Sequence, residues 1–135
     1  MSTPTFATVQ VGDQLTPLTH PEVNRTMLAL FAGASGDHNP IHIDLDFARK
    51  AGMPDVFAHG MLGMAWLARL VTSWAPQSCL KRLDARFQGI THLGHIITCS
   101  GTVIGKCEQG VRIELRATNQ YGEDKIVGEA LVALP

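Results

Sequence analysis

The densest run of reactive side chains in this sequence is Gly36-Asp37-His38-Asn39-Pro40-Ile41-His42. Asp37 offers a carboxylate and His42 an imidazole that titrates near neutrality, the usual equipment of general acid–base chemistry. Pro40 lacks a backbone N–H and steers Asn39 away from the helical region, so the stretch is expected to be a bent loop. Such a bend lets Asp37 and His42 converge, whereas along an extended chain they would stand far apart. The alternative is structural: Asp37 caps the following turn and His42 is a hydrogen-bonded loop histidine.

A second candidate is His59-Gly60, at the front of a long apolar run. The first N–H groups of a helix have no internal partner and carry partial positive charge, so they can hold a developing oxyanion. Gly60 has no side chain to obstruct a carbonyl approaching that point. Equally, such a glycine can serve only tight helix–sheet packing.

Other chemistries find little support. His38 and His42 are four apart, but Pro40 between them spoils the helix that a zinc pair would need, so no metal site is expected. Gly33-Ala34-Ser35-Gly36-Asp37 lacks the second glycine of a GxSxG elbow, and neither GxGxxG nor GxxxxGK[ST] occurs. Cys79, Cys99 and Cys107 form no CxxC pair and are odd in number, which suits reduced, partly buried thiols. His20, His92 and His95 sit near expected strand ends as surface or packing residues. Trp66 and Trp74 are expected in the core.

The elements that must position Asp37, His42 and Gly60 follow from periodicity. Val9 to Leu18 suits an opening strand or extended arm, with a turn at Gly12-Asp13. Pro21 suits a first helical turn; Val23, Met27, Leu28, Leu30 and Phe31 give the helix an apolar face, and Gly33 and Gly36 end it. Asp44 to Ala51 is a short helix stopped by Gly52. Val56 to Trp74 is apolar on nearly every side, as expected of a helix surrounded by other elements. It contains His59 and Arg69 and is closed by Pro76, so it reads as a buried helix rather than a membrane span.

Beyond Pro76 the period changes. Val111, Ile113, Leu115 and Ala117 alternate with Arg112, Glu114, Arg116 and Thr118, the pattern of a strand with one wet face. Ile96 to Ile104 and Ile126 to Leu134 are further strands, divided by turns at Gly105 to Gly110 and Asn119 to Gly122. An arm, then helices, then antiparallel strands is an α+β pattern. With no repeat or linker-like stretch, residues 1–135 are expected to form a single domain.

Composition agrees. Hydrophobic residues make up 45% of the chain and charged residues 17%, enough apolar material for a core. A formal net charge of −1 gives no general attraction to nucleic acid or anionic membrane. The N-terminus shows no basic stretch followed by an apolar run, and a cytoplasmic location is expected. Lys81, Arg82, Arg86, Lys106, Arg112 and Arg116 are candidates for ligand phosphates, though a solvated strand face explains each of them as well.

The run from Phe31 to His42 resembles the hydratase motif of the MaoC-like and (R)-specific enoyl-CoA hydratases. Ala58-His59-Gly60-Met61-Leu62 resembles that family's start of the central helix, and Gly128-Glu129-Ala130-Leu131-Val132 its last strand. Val71-Thr72-Ser73-Trp74 is similar to the beta subunits of (3R)-hydroxyacyl-carrier-protein dehydratases. The resemblance covers roughly Val9 to Leu134 and implies a hot-dog fold: an antiparallel sheet wrapped around one long apolar central helix.

It further implies Asp37 and His42 as the catalytic pair and the Gly60 N–H as oxyanion donor. Asn39 and His59 become supporting or substrate-binding residues. The reaction implied is reversible hydration of a trans-2-enoyl thioester to a (3R)-3-hydroxyacyl thioester. CoA or an acyl carrier protein would be the carrier, with no metal or redox cofactor. A homodimer is implied, with a higher oligomer or a heterodimer as variants. Some relatives carry a hydroxyl further along the central helix, where this chain has Ala68. The rivals are a hot-dog thioesterase, disfavoured because the helix after His59 carries no acidic residue, and a subunit that needs a dehydratase partner.

Overall fold

The computed structural model describes residues 2–135. Its sheet has five strands: β1 Leu18–Thr19, β2 Leu80–Phe87, β3 Thr98–Cys107, β4 Gly110–Thr118 and β5 Asp124–Val132. They are ordered β1-β3-β4-β5-β2, with every neighbouring pair antiparallel. Three α-helices precede β2: α1 Arg25–Ser35, α2 Leu45–Lys50 and α3 Gly60–Trp74.

The alternation in β4 decides which face of the sheet is dry. Val111, Ile113, Leu115 and Ala117 are buried, while Arg112, Glu114 and Arg116 point to solvent. Cys99 and Val103 of β3 and Ile126, Ala130 and Val132 of β5 join the same inner face. Leu67, Leu70 and Val71 of α3 press onto it and are 1% exposed or less. Removing each such side chain from water stabilises the fold by about 1.5–3 kcal/mol. Outside, Arg112 pairs with Glu129 at 2.6 Å and Arg116 with Glu114 at 3.1 Å.

A second, smaller core lies toward the front of α3, where Val23, Leu28, Ala48, Val56, Ala58 and Leu62 meet. It joins α1, α2 and the segment leading into α3, and supports the loop between α1 and α2. This α+β arrangement, an antiparallel sheet curled on one central helix, is the expected hot-dog architecture.

Several boundaries differ from the sequence expectation. The first helix begins at Arg25, not Pro21, because Asn24 accepts from the Met27 N–H at 2.8 Å and so fixes the start. It runs through Gly33 and stops only at Gly36. The central helix begins at Gly60, not Val56: Phe57 bridges His92, and the Ala58 N–H donates to the Thr91 carbonyl, holding residues 56–59 extended. Nor is α3 enclosed on all sides, since Met61, Ala65, Arg69 and Ser73 stay exposed in the isolated chain.

β3 continues through Cys107, so its hairpin to β4 is tighter than the expected Gly105 to Gly110 turn. Before it, the arm shortens to one bridge at Gln14 and the two residues of β1. β2 was not foreseen. It is an edge strand whose mixed charged and apolar residues give no clean alternation.

Candidate active site

Asp37 stands directly beyond α1. Gly36 ends that helix at φ 76°, a left-handed conformation that side chains disfavour, and its N–H donates to the Ala32 carbonyl. The Asp37 N–H donates to Ser35 Oγ at 3.1 Å, and the Asn39 N–H donates to Asp37 Oδ1 at 3.2 Å. Asn39 in turn accepts from the Ile41 N–H at 3.1 Å, fixing the turn Pro40–His42 as a short 3-10 helix. Asp37 therefore does steady the turn after it, yet its carboxylate stays exposed. The structural alternative and the chemical one are compatible.

His42 closes this turn and is 9% exposed. Its Nδ1 lies 2.7 Å from the Phe57 carbonyl oxygen. A carbonyl can only accept, so Nδ1 carries the hydrogen and a neutral ring presents Nε2 as a bare acceptor.

His59 is 2% exposed and stacks on His42, with ring centroids 3.9 Å apart and planes 27° from parallel. Its Nε2 donates to the Asp37 backbone carbonyl at 3.1 Å. Burial pushes the His59 imidazole below its usual range and neighbouring His42 adds to this, against the opposing pull of the bond to the Asp37 carbonyl.

Asp37, His42 and His59 thus form a cluster whose ligand-capable atoms lie within 4.8 Å of one another. Two hydrogen bonds of about 2.8 Å from one water oxygen span about 4.5 Å, so a single water fits between two such acceptors. The cluster suits a metal ion poorly. The two imidazoles lie nearly face to face, so their in-plane lone pairs run side by side rather than converging, and one nitrogen of each ring is taken by a carbonyl.

Gly60 follows His59 as the first residue of α3 and is exposed. No side chain caps this helix and no acidic residue lies in its first turn. The Leu62 N–H turns back to the His59 carbonyl at 3.1 Å, and the Gly60 N–H ahead of it is left open to a ligand. A Cβ on Gly60 would sit 3.1 Å from the Phe87 ring, so a larger residue would crowd this mouth.

Sequence reasoning missed two contributors here. Phe57 acts through a backbone carbonyl, which no residue type announces. Phe87 ends the unforeseen strand β2. Most of the basic candidates have local partners instead of a free face: Arg82 pairs with Asp84, Lys81 donates to the Ser78 carbonyl, and Lys106 to the Val9 carbonyl. His38 stays exposed.

A sheet curled around α3, with a carboxylate and two imidazoles gathered at its uncapped terminus, is the frame of a chain whose family the comparisons with known proteins identify. The MaoC like domain model matches residues 7–124. The chain belongs to the MaoC-like dehydratase family. It is 28% identical over 116 residues to an (R)-specific enoyl-CoA hydratase of Rhodospirillum rubrum, covering 84% of this chain and 81% of that protein.

Among solved structures, the R-hydratase PhaJ1 of Pseudomonas aeruginosa superposes with a TM-score of 0.86 at 29% identity, over 97% of this chain and 85% of that one. One chain of the ChsH1–ChsH2 complex of Mycobacterium tuberculosis gives 0.84 at 25% identity, over 95% of this chain and 99% of that one.

Proposed function

We propose that this protein is a hydro-lyase that interconverts trans-2-enoyl and (3R)-3-hydroxyacyl thioesters. One observation carries this: Asp37 and His42 gather on His59, the residue directly before the uncapped Gly60 N–H, and the Nδ1 bond of His42 to the Phe57 carbonyl leaves its Nε2 free to accept. The thioester carbonyl sits at the Gly60 N–H, which stabilises the enolate-like charge that grows as water adds at Cβ. The water donates its hydrogens to the Asp37 carboxylate and His42 Nε2, leaving its oxygen lone pairs facing Cβ. One proton passes to this pair as the C–O bond forms and returns to Cα on the same face; dehydration reverses each step. Asn39 holds the loop.

No electrons are gained or lost overall, so the reaction needs no redox cofactor, and CoA or an acyl carrier protein serves as carrier. The lack of any Asp or Glu in α3 leaves a carboxylate-dependent thioesterase without its carboxylate.

The working unit is proposed to be a homodimer. β2 pairs with β5 on one side only, and its other edge is unpaired, which is the geometry for joining a second sheet. Met61, Phe87 and Ile90, all exposed in the single chain, are apolar surface for such a partner or for the acyl group to cover. The likeness to the ChsH1–ChsH2 complex favours a heterodimer as the second possibility.

The test follows the conjugated enoyl absorbance of crotonyl-CoA with purified protein, coupled to a dehydrogenase selective for (3R)-3-hydroxyacyl-CoA. Loss of absorbance with a (3R) product is expected; release of free thiol instead would make it a thioesterase.

A further inference from the structure

Asp37 is fastened mostly to its own neighbours. Its bonds with Ser35 and Asn39 each span two residues, so they move with the loop and cannot locate it in the molecule. The described hydrogen bond that ties Asp37 to a distant part of the chain runs from His59 Nε2 to its carbonyl, across 22 positions. His42 is located in the same way by the Phe57 carbonyl. Phe57 and His59 lie immediately before Gly60, so one short segment sets the positions of both acid–base groups and of the open N–H.

His59 also carries an oddity. Its Nδ1 is buried and has no hydrogen-bond partner. Since the Asp37 carbonyl requires the hydrogen on Nε2, Nδ1 holds a lone pair that nothing satisfies. A proton there would be buried without an acceptor, against the face of His42 and at the positive end of α3. Such a group costs stability, and an apolar ring would fill the same space without that cost. The one service of the imidazole that a phenyl ring lacks is the Nε2–H on Asp37.

We infer that His59 is a positioning residue, held as the neutral Nε2–H tautomer, that fixes the Asp37 backbone and braces the ring of His42. The two stacked histidines are then opposite tautomers: Nδ1–H in His42 and Nε2–H in His59. This rests on the hydratase reading for its kinetic consequence, but not for its structural content.

Two measurements test it. In the unliganded protein, long-range proton–nitrogen correlations of the histidine rings near pH 7.5 report the tautomers directly and need no turnover. Opposite tautomers are expected; an Nδ1–H or doubly protonated His59 would overturn the inference. In the enoyl-CoA assay, His59→Phe keeps the stacked ring but loses the donor. It should lower kcat about ten- to a hundredfold with KM nearly unchanged, the scale of a misplaced reacting group.

His59→Gln, whose amide nitrogen reaches toward the Nε2 position, should recover most of that loss. A folded His59→Phe protein with normal kcat, or a loss shared equally by the Gln variant, would sink the positioning role. If wild type turns over no enoyl thioester, the hydratase reading falls, while the tautomer measurement still decides whether His59 holds Asp37 as inferred.

Discussion

The two ends of α3 live in opposite surroundings. Its C-terminal half is clamped: Leu67, Leu70 and Val71, with Ala75 beyond, belong to the main core and face the inner surface of β3, β4 and β5. Its N-terminal end rests on the smaller core of Val23, Leu28, Ala48, Val56, Ala58 and Leu62, and beyond that end stand Asp37, His42 and His59 with an uncapped terminus. One end supplies stability, and the other spends none of its open N–H groups on capping. A helix held firmly at one end can keep its dipole and free donors aimed at a fixed point, which is what stabilising a transient charge requires. A cavity of about 530 Å³ opens at the clamped end, lined by Leu18, Leu70 and Trp74. A 15-residue helix is about 22 Å long, so this space lies well away from Gly60.

That contrast breaks most visibly in turnover. Asp37→Asn and His42→Ala should each cut kcat about 10²–10⁴-fold, the range for positioned acid–base groups. Asp37→Asn should leave the melting temperature almost unchanged, because its Oδ1 still accepts from the Asn39 N–H. Near-normal turnover in both variants would remove the assignment.

Leu67→Ala attacks the clamped end. With Leu67 fully buried, a loss of about 2–5 kcal/mol is expected in urea unfolding, read as a lower midpoint at constant slope. The molecules that stay folded should keep their kcat. Equal damage to kcat would mean the two ends are mechanically one unit.

Gly36→Ala acts where the regions meet. Holding an L-residue at φ 76° costs about 1–2 kcal/mol, and relief of that strain would tilt Asp37. Both a modest drop in stability and a drop in kcat are expected, unlike either class above.

A smaller effect comes from pH. Burial is the first cause that lowers His20, His59 and His95 below their usual value, and Arg69, His42 and Lys125 respectively act in the same direction. The unfolded chain therefore takes up protons that the fold resists. Stability from these groups is complete above about pH 6.5 and declines as pH falls below it. Melting temperatures from pH 7.5 down to 5 should fall, and less steeply in His59→Gln.

The thiols give the subtlest contrast. Burial pushes Cys99, in the main core, up to about 12, while Cys79 and Cys107 are only half-buried. A thiol reagent at pH 8 should leave Cys99 unmodified until the protein unfolds.

Much of this was legible in residue order. The alternation of β4 and the apolar density of α3 identified the sheet face and the central helix, because both patterns are fixed by backbone period and burial. The run Asp37 to His42 stood out as a candidate site through its side-chain types, and Gly60 through the lack of one. β2 stayed hidden because an edge strand, wet on much of its surface, has no reason to alternate cleanly. The start of α3 was misplaced because residues 56–59 are held extended by distant strand-like partners at Thr91 and His92.

The sequence by itself determined which groups are reactive and which faces must be dry, since acidity, hydropathy and side-chain period belong to the residues. Only the tertiary structure decided how those groups are used. The tautomer of His42 depends on a Phe57 carbonyl, and the placement of Asp37 on a His59 nitrogen 22 positions away. Every residue before proline or after it carries the same backbone carbonyl, so a composition cannot say which one will face an imidazole. Folding makes that choice, and with it brings a carboxylate and an imidazole from one loop into a single cluster.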